Sequence, residues 1–145
     1  MDLKECISFA SENPVCYLAT TEGDQPRVRG LIMDYADDTG FYFATLSPKN
    51  LSNQLHTNPK VEICFYNNAS DFMQARMMRI CGSVEFIDEP EALDRAIRHR
   101  EGLSEIVGEP VDSYVEIFKI TAGDVHFWTI MDAMRERQLE HVEFN

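Results

Sequence analysis

Three strand-like runs in the first third of the chain, VCYLATT, RVRGLIMDY and FYFAT, are separated only by EGDQP and ADDTG. Both connectors are built from Gly, Pro, Asp and Thr, residues suited to tight reversals. Strands this close in sequence pair antiparallel, because a parallel pair needs a crossover of about a dozen residues or more. The chain therefore opens as an antiparallel meander. VEICFY, RMMRICGSVEFI, SYVEIFKI and VHFWTI extend the same pattern; in VEICFY, Val61, Ile63 and Phe65 alternate with Glu62, Cys64 and Tyr66. Gly82, inside the long run, marks a bulge or a close neighbouring backbone.

Helical segments punctuate the strands. Asp2 and Glu5 open the first, which buries Leu3, Cys6, Ile7 and Ala10 on one face and ends at Asn13-Pro14. After Thr45, LSPKNLSNQLHTNPK is read as a short helix capped by Ser47, with Pro48 at its first position and Leu51 and Leu55 facing inward. Asp88 and Glu91 form a capping-box pattern ahead of Ala92, Leu93, Ala96 and Ile97, and LSEIVG is a further short helix stopped by Gly108. The tail MDAMRERQLEHVEFN fits helix and strand equally. With roughly six strands and three or four helices, the expected fold is mainly β with helices (α+β), a barrel-like antiparallel sheet with helical covers. A length of 145 residues suits one domain over 1–145.

Charge and cysteine usage narrow the function. A net charge of −12 opposes binding to nucleic acid. Cys6, Cys16, Cys64 and Cys81 stand alone, each in an apolar or strand-like stretch, and are expected to be buried reduced thiols. No Cys-x-x-Cys pair occurs, and His56, His99, His126 and His141 lack metal-ligand spacing, so no metal centre is expected. With no long apolar run and with Asp2, Lys4 and Glu5 at its start, the chain is expected to be cytoplasmic and away from membranes.

The most informative pairing is PRVRGL with TLSPK. On a strand Arg27 and Arg29 share one face while Val28 and Ile32 take the other. One hairpin later, FYFAT delivers Thr45 and Ser47 into a helix start that carries Lys49. Free backbone N–H groups and the positive end of the helix dipole favour an anion there. An arginine fork, a lysine and two hydroxyls suit a phosphate dianion, and Gly30 leaves room for a planar ring to approach the backbone. The same spacing also fits a solvated arginine near a turn and a surface lysine.

Taken together, LATTEGDQPRVRGL, FYFATLSPKNLSNQLHTNPKVEICFY and RICGSVEFID resemble the pyridoxamine 5′-phosphate oxidase-like family of FMN-binding split barrels. The resemblance spans about residues 14–88 and, more loosely, the strand around Trp128. It implies a split β-barrel that binds FMN as a homodimer with the flavin at the interface, and a flavin-dependent oxidoreductase acting on a small molecule. It implies Arg29 and Lys49 as phosphate ligands, with Thr45 and Ser47 at the hydroxyl-bearing turn. Gly30, Leu31, Phe43 and Ala44 correspond to backbone and wall positions beside the flavin, and Arg76, Met77 and Trp128 to contributions from the second subunit. Trp128 fits a core or interface aromatic equally well. No catalytic acid or base is assigned. The tail RERQLEHVEFN does not reproduce the substrate-gripping segment of longer members, and Met77 stands where those have a polar residue, so vitamin B6 oxidation is not expected. A deazaflavin-dependent reductase and a flavin- or haem-binding or sensory module are the alternatives on this scaffold.

Overall fold

The computed structural model describes residues 1–145. Helix α1 (Leu3–Glu12) is capped by Asp2, whose carboxylate accepts from the Glu5 backbone N–H at 2.9 Å. There follow β1 (Val15–Glu22), β2 (Gln25–Ile32), β3 (Tyr35–Asp37), β4 (Gly40–Leu46), α2 (Asn50–Thr57), β5 (Lys60–Tyr66), β6 (Arg76–Ile87), α3 (Pro90–Arg98), α4 (Leu103–Val107), β7 (Val115–Thr129) and β8 (Val142–Phe144). All ladders are antiparallel.

The sheet runs β2-β1-β5-β6-β7-β4-β3, with β8 added beside β7. Strands β2 and β3 are the ends of this path and share no ladder, so the barrel is split between them. Its interior holds one large apolar cluster in which Leu18, Phe41, Phe43, Ile63, Phe65, Met78, Ile80, Phe118 and Ile120 are fully buried. A second, smaller cluster joins Tyr42 and Ile117 on the other face of β4 and β7 to Ala92 and Ala96 of α3.

The expected three-strand meander is only partly formed: β1 pairs with β2, but RVRGLIMDY breaks after Ile32, and β4 pairs with β3 and β7 rather than with β2. The short strands β3 and β8 raise the count to eight. SYVEIFKI and VHFWTI form one continuous strand across Ala122-Gly123-Asp124. Gly82 does mark an irregularity: the β6–β7 register shifts between Ser83 and Val84, and a Cβ on Gly82 would sit 2.6 Å from the Ala122 carbonyl oxygen. Two capping expectations fail. Lys49, not Ser47, is the N-cap of α2, and Glu89, not Asp88, that of α3; neither makes a side-chain cap. Pro48 accordingly precedes α2, whereas Pro90 takes the first position of α3. The thiols also divide: Cys6 and Cys16 are buried, Cys64 is half-buried and Cys81 is exposed on the outward face of β6. No helix is long and apolar enough to cross a membrane.

Candidate functional site

The split is bridged by α2 through a polar network centred on Arg29. Arg29 stands opposite Leu18 on β1 and faces inward. Its Nη1 donates to the Leu18 carbonyl at 3.3 Å and to the Thr20 hydroxyl at 2.7 Å, and its Nη2 donates to Oε1 of Gln54 on α2. Thr20 donates to the same Gln54 oxygen at 2.7 Å, and Gln54 Nε2 donates to Glu22 at 3.1 Å. Glu22 in turn pairs with Arg27 at 3.0 Å, and these two contacts hold its carboxyl below the usual carboxylate range.

Every acceptor around the Arg29 guanidinium is electrically neutral. The other partly buried arginines, Arg76, Arg79, Arg95 and Arg100, each have a carboxylate partner. Desolvation, and secondarily the charge of Arg27, pulls the Arg29 guanidinium below the ordinary arginine range, yet an arginine keeps its proton. A partly desolvated cation without a counter-charge is unfavourable until an anion joins it.

A second unmet demand lies on β4. Thr45 is 4% exposed and its Oγ1 has no hydrogen-bond partner. One turn on, Ser47 and Lys49 are exposed, Lys49 makes no ion pair, and no side chain caps α2. The helix start is left open to an anion. Gln54, which Arg29 contacts, is five residues beyond Lys49, roughly 7.5 Å along the helix axis. The far side of α2 is pinned to β7: Ser52 donates to Glu116, and His56 Nε2 lies 2.8 Å from the same carboxylate while its ring stacks on Phe86.

The remaining expected residues fall into three places. Leu31 points inward beside the core, and Gly30 lies on the outward face of β2, where an added Cβ would come no nearer than 3.8 Å to the Tyr17 ring. Phe43 is fully buried and stacked on Phe118 at 5.4 Å, and Ala44 packs toward α3, so each offers a ligand backbone atoms only. Arg76, Met77 and Trp128 lie away from Arg29 in the same chain. Arg76 is held by Glu5 at 2.8 Å and sits over the Phe127 ring at 3.9 Å. Met77 and Trp128 are a cross-strand pair on the outward face, separated from β2 by two and three intervening strands. The Trp128 Nε1 is buried without an acceptor.

Sequence reasoning missed Thr20 and Gln54. Both carried a signal: Thr20 continues the inward series Cys16, Leu18, and Gln54 falls on the face of Leu51 and Leu55. A polar residue in an apolar stripe requires a buried partner.

Comparison with known proteins bears on this arrangement. The family model described as pyridoxamine 5′-phosphate oxidase matches residues 3–129. A NimC/NimA family protein from Clostridium acetobutylicum is similar at 27% identity and a TM-score of 0.73, covering 98% of this chain and 90% of its own. A FAD-binding protein from Mesorhizobium loti is similar at 20% identity and a TM-score of 0.64, covering 88% of this chain and 94% of its own. The heme storage protein HutZ from Vibrio cholerae is similar at 16% identity and a TM-score of 0.62, covering 88% and 93%. No curated protein matches the sequence.

Proposed function

The chain belongs to the pyridoxamine 5′-phosphate oxidase family, and from that premise we propose that it is an FMN-binding homodimer that acts as an oxidoreductase on a small molecule. The observation that carries this reading is the uncompensated charge of Arg29, held against α2, together with the unpartnered hydroxyl of Thr45 on β4, the strand that leads into the same helix. A phosphate ester answers both: its oxygens accept from a guanidinium and from a hydroxyl.

In the bound form Arg29 and Lys49 hold the phosphate, Thr45 and Ser47 donate to it, and backbone atoms near Gly30 and Leu31 border the ring. The flavin, once bound, supplies the hydride and electron chemistry, and the protein's part is binding and orientation. Dimerisation is favoured by the outward face of β1 and β2, where Val15, Tyr17, Val28 and Ile32 are 41%, 43%, 70% and 61% exposed. A second copy seated there removes an apolar patch from water.

The purified protein is expected to carry a flavin absorption spectrum, with FMN released on denaturation and identified by mass. Stopped-flow mixing with NADH and NADPH then tests whether a nicotinamide donor reduces the bound flavin. A colourless protein that fails to take up added FMN contradicts the proposal; a deazaflavin or haem spectrum reassigns the ligand.

A further inference from the structure

Away from the split, the outward face of the opposite side of the barrel carries two adjacent cross-strand rows of polar residues. One row runs Glu62, Cys81, Asp124, Glu143, and the other Cys64, Arg79, His126, as the β5–β6, β6–β7 and β7–β8 ladders dictate. The β7–β8 register pairs Gly123 with Phe144, Asp124 with Glu143 and Val125 with Val142. Continued by one residue, it sets His141 across from His126. The two imidazoles lie face to face with centroids 4.6 Å apart, and His141 Nδ1 is 2.5 Å from Asp124 Oδ1. One ligand-capable atom from each of Asp124, His126 and His141 lies within 4.8 Å of the other two.

We propose that these three residues bind a divalent first-row transition cation of the zinc class. Two imidazole nitrogens and one carboxylate oxygen form a borderline donor set suited to such ions, and three protein ligands leave a fourth position for water. The site is prearranged by the ladder: Asp124 and His126 share a strand face as i and i+2, and the β8 pairing fixes His141 beside them. Arg79 stands across from His126, and its charge is spent on Glu62 at 2.7 Å and Glu136 at 3.5 Å. Glu143, opposite Asp124, adds negative charge to the same face. The cluster opens on a cleft of about 650 Å³ bordered by Arg79, Met134, Glu136 and Arg137. The bound ion would clasp the chain's last segment to β7, which β8 otherwise holds through only three residue pairs.

Equilibrium dialysis of the purified protein against Zn²⁺, with metal counted by atomic emission, tests the site. One Zn²⁺ per chain is expected, with affinity weakened in His126→Asn and His141→Asn by at least about tenfold, the loss that follows removal of even an outer-shell partner. His99→Asn should bind like the parent. Carbethoxylation of the unmutated protein gives a second readout that needs no variant: Zn²⁺ should shield His126 and His141 and leave His56 and His99 reactive. Zn²⁺ binding that is absent, or unchanged in both variants, overturns the proposal, as does unshielded reaction of His126 and His141.

Discussion

Arg29 and Thr45 both present hydrogen-bonding capacity that the folded chain leaves unused, but in opposite senses. Arg29 has its protons accepted by neutral atoms and its charge left standing. Thr45 has a buried hydroxyl with no partner at all. Replacing Thr45 with valine removes a polar atom that costs stability when unpaired, so the ligand-free protein should gain up to about 1 kcal/mol. Thermal unfolding of the flavin-free protein checks the gain. FMN affinity should fall at the same time by about 2- to 12-fold, the equivalent of one neutral hydrogen bond of about 0.5–1.5 kcal/mol. Lys49→Ala should weaken FMN less than a change at Arg29, because a flexible ammonium makes no bidentate contact. Which residues gather at the split was partly legible in the sequence. The i, i+2 rule placed Arg27 and Arg29 on one face, but the role of Gln54 depends on how α2 lies across β1, a long-range contact with no local signature.

At the scale of elements, local rules worked where the chain had to turn and failed where tertiary contacts set the boundary. The Asp2 cap formed as expected because its acceptor lies three residues away. Ser47 does not cap α2 because its backbone N–H is drawn to the Tyr114 carbonyl at 2.9 Å, extending the chain alongside the start of β7. At Gly82 and Gly123 β6 and β7 nearly touch: a Cβ on either glycine would lie 2.6 Å from a facing carbonyl oxygen. Gly82→Ala should destabilise by about 1–3 kcal/mol, as overpacking does, whereas Gly30→Ala should leave stability unchanged; urea unfolding of both variants checks the contrast. The buried thiols add a pH dependence. Burial pushes Cys16 up to about 12 and Cys6 up to about 11 from an ordinary 9.0. Above pH 9 the unfolded chain releases thiol protons that the folded chain retains, so this contribution to stability is full below pH 9 and is lost as pH rises toward 11 and 12. Cys16→Ala should flatten the fall in stability over that interval, measured by urea unfolding across pH.

For the whole molecule, the sequence made the barrel legible through its turns and alternation, but not the division of its surface. The outward face is apolar on β1 and β2, and on β6 to β8 it is polar around Arg79, Asp124, His126 and Glu143, a contrast visible only once the ladders align residues from several strands. The apolar half is the face proposed to pair. Val28→Lys combined with Ile32→Lys should give a monomer by light scattering. The most direct measurement compares two ligands that differ only in the phosphate. Titrated into the parent protein and into Arg29→Ala, FMN should lose about 1.5–3 kcal/mol, roughly 12- to 150-fold in affinity, while riboflavin binding stays nearly unchanged. An equal loss for both ligands, or none for FMN, would mean that Arg29 does not hold a phosphate and would contradict the flavin site at the split.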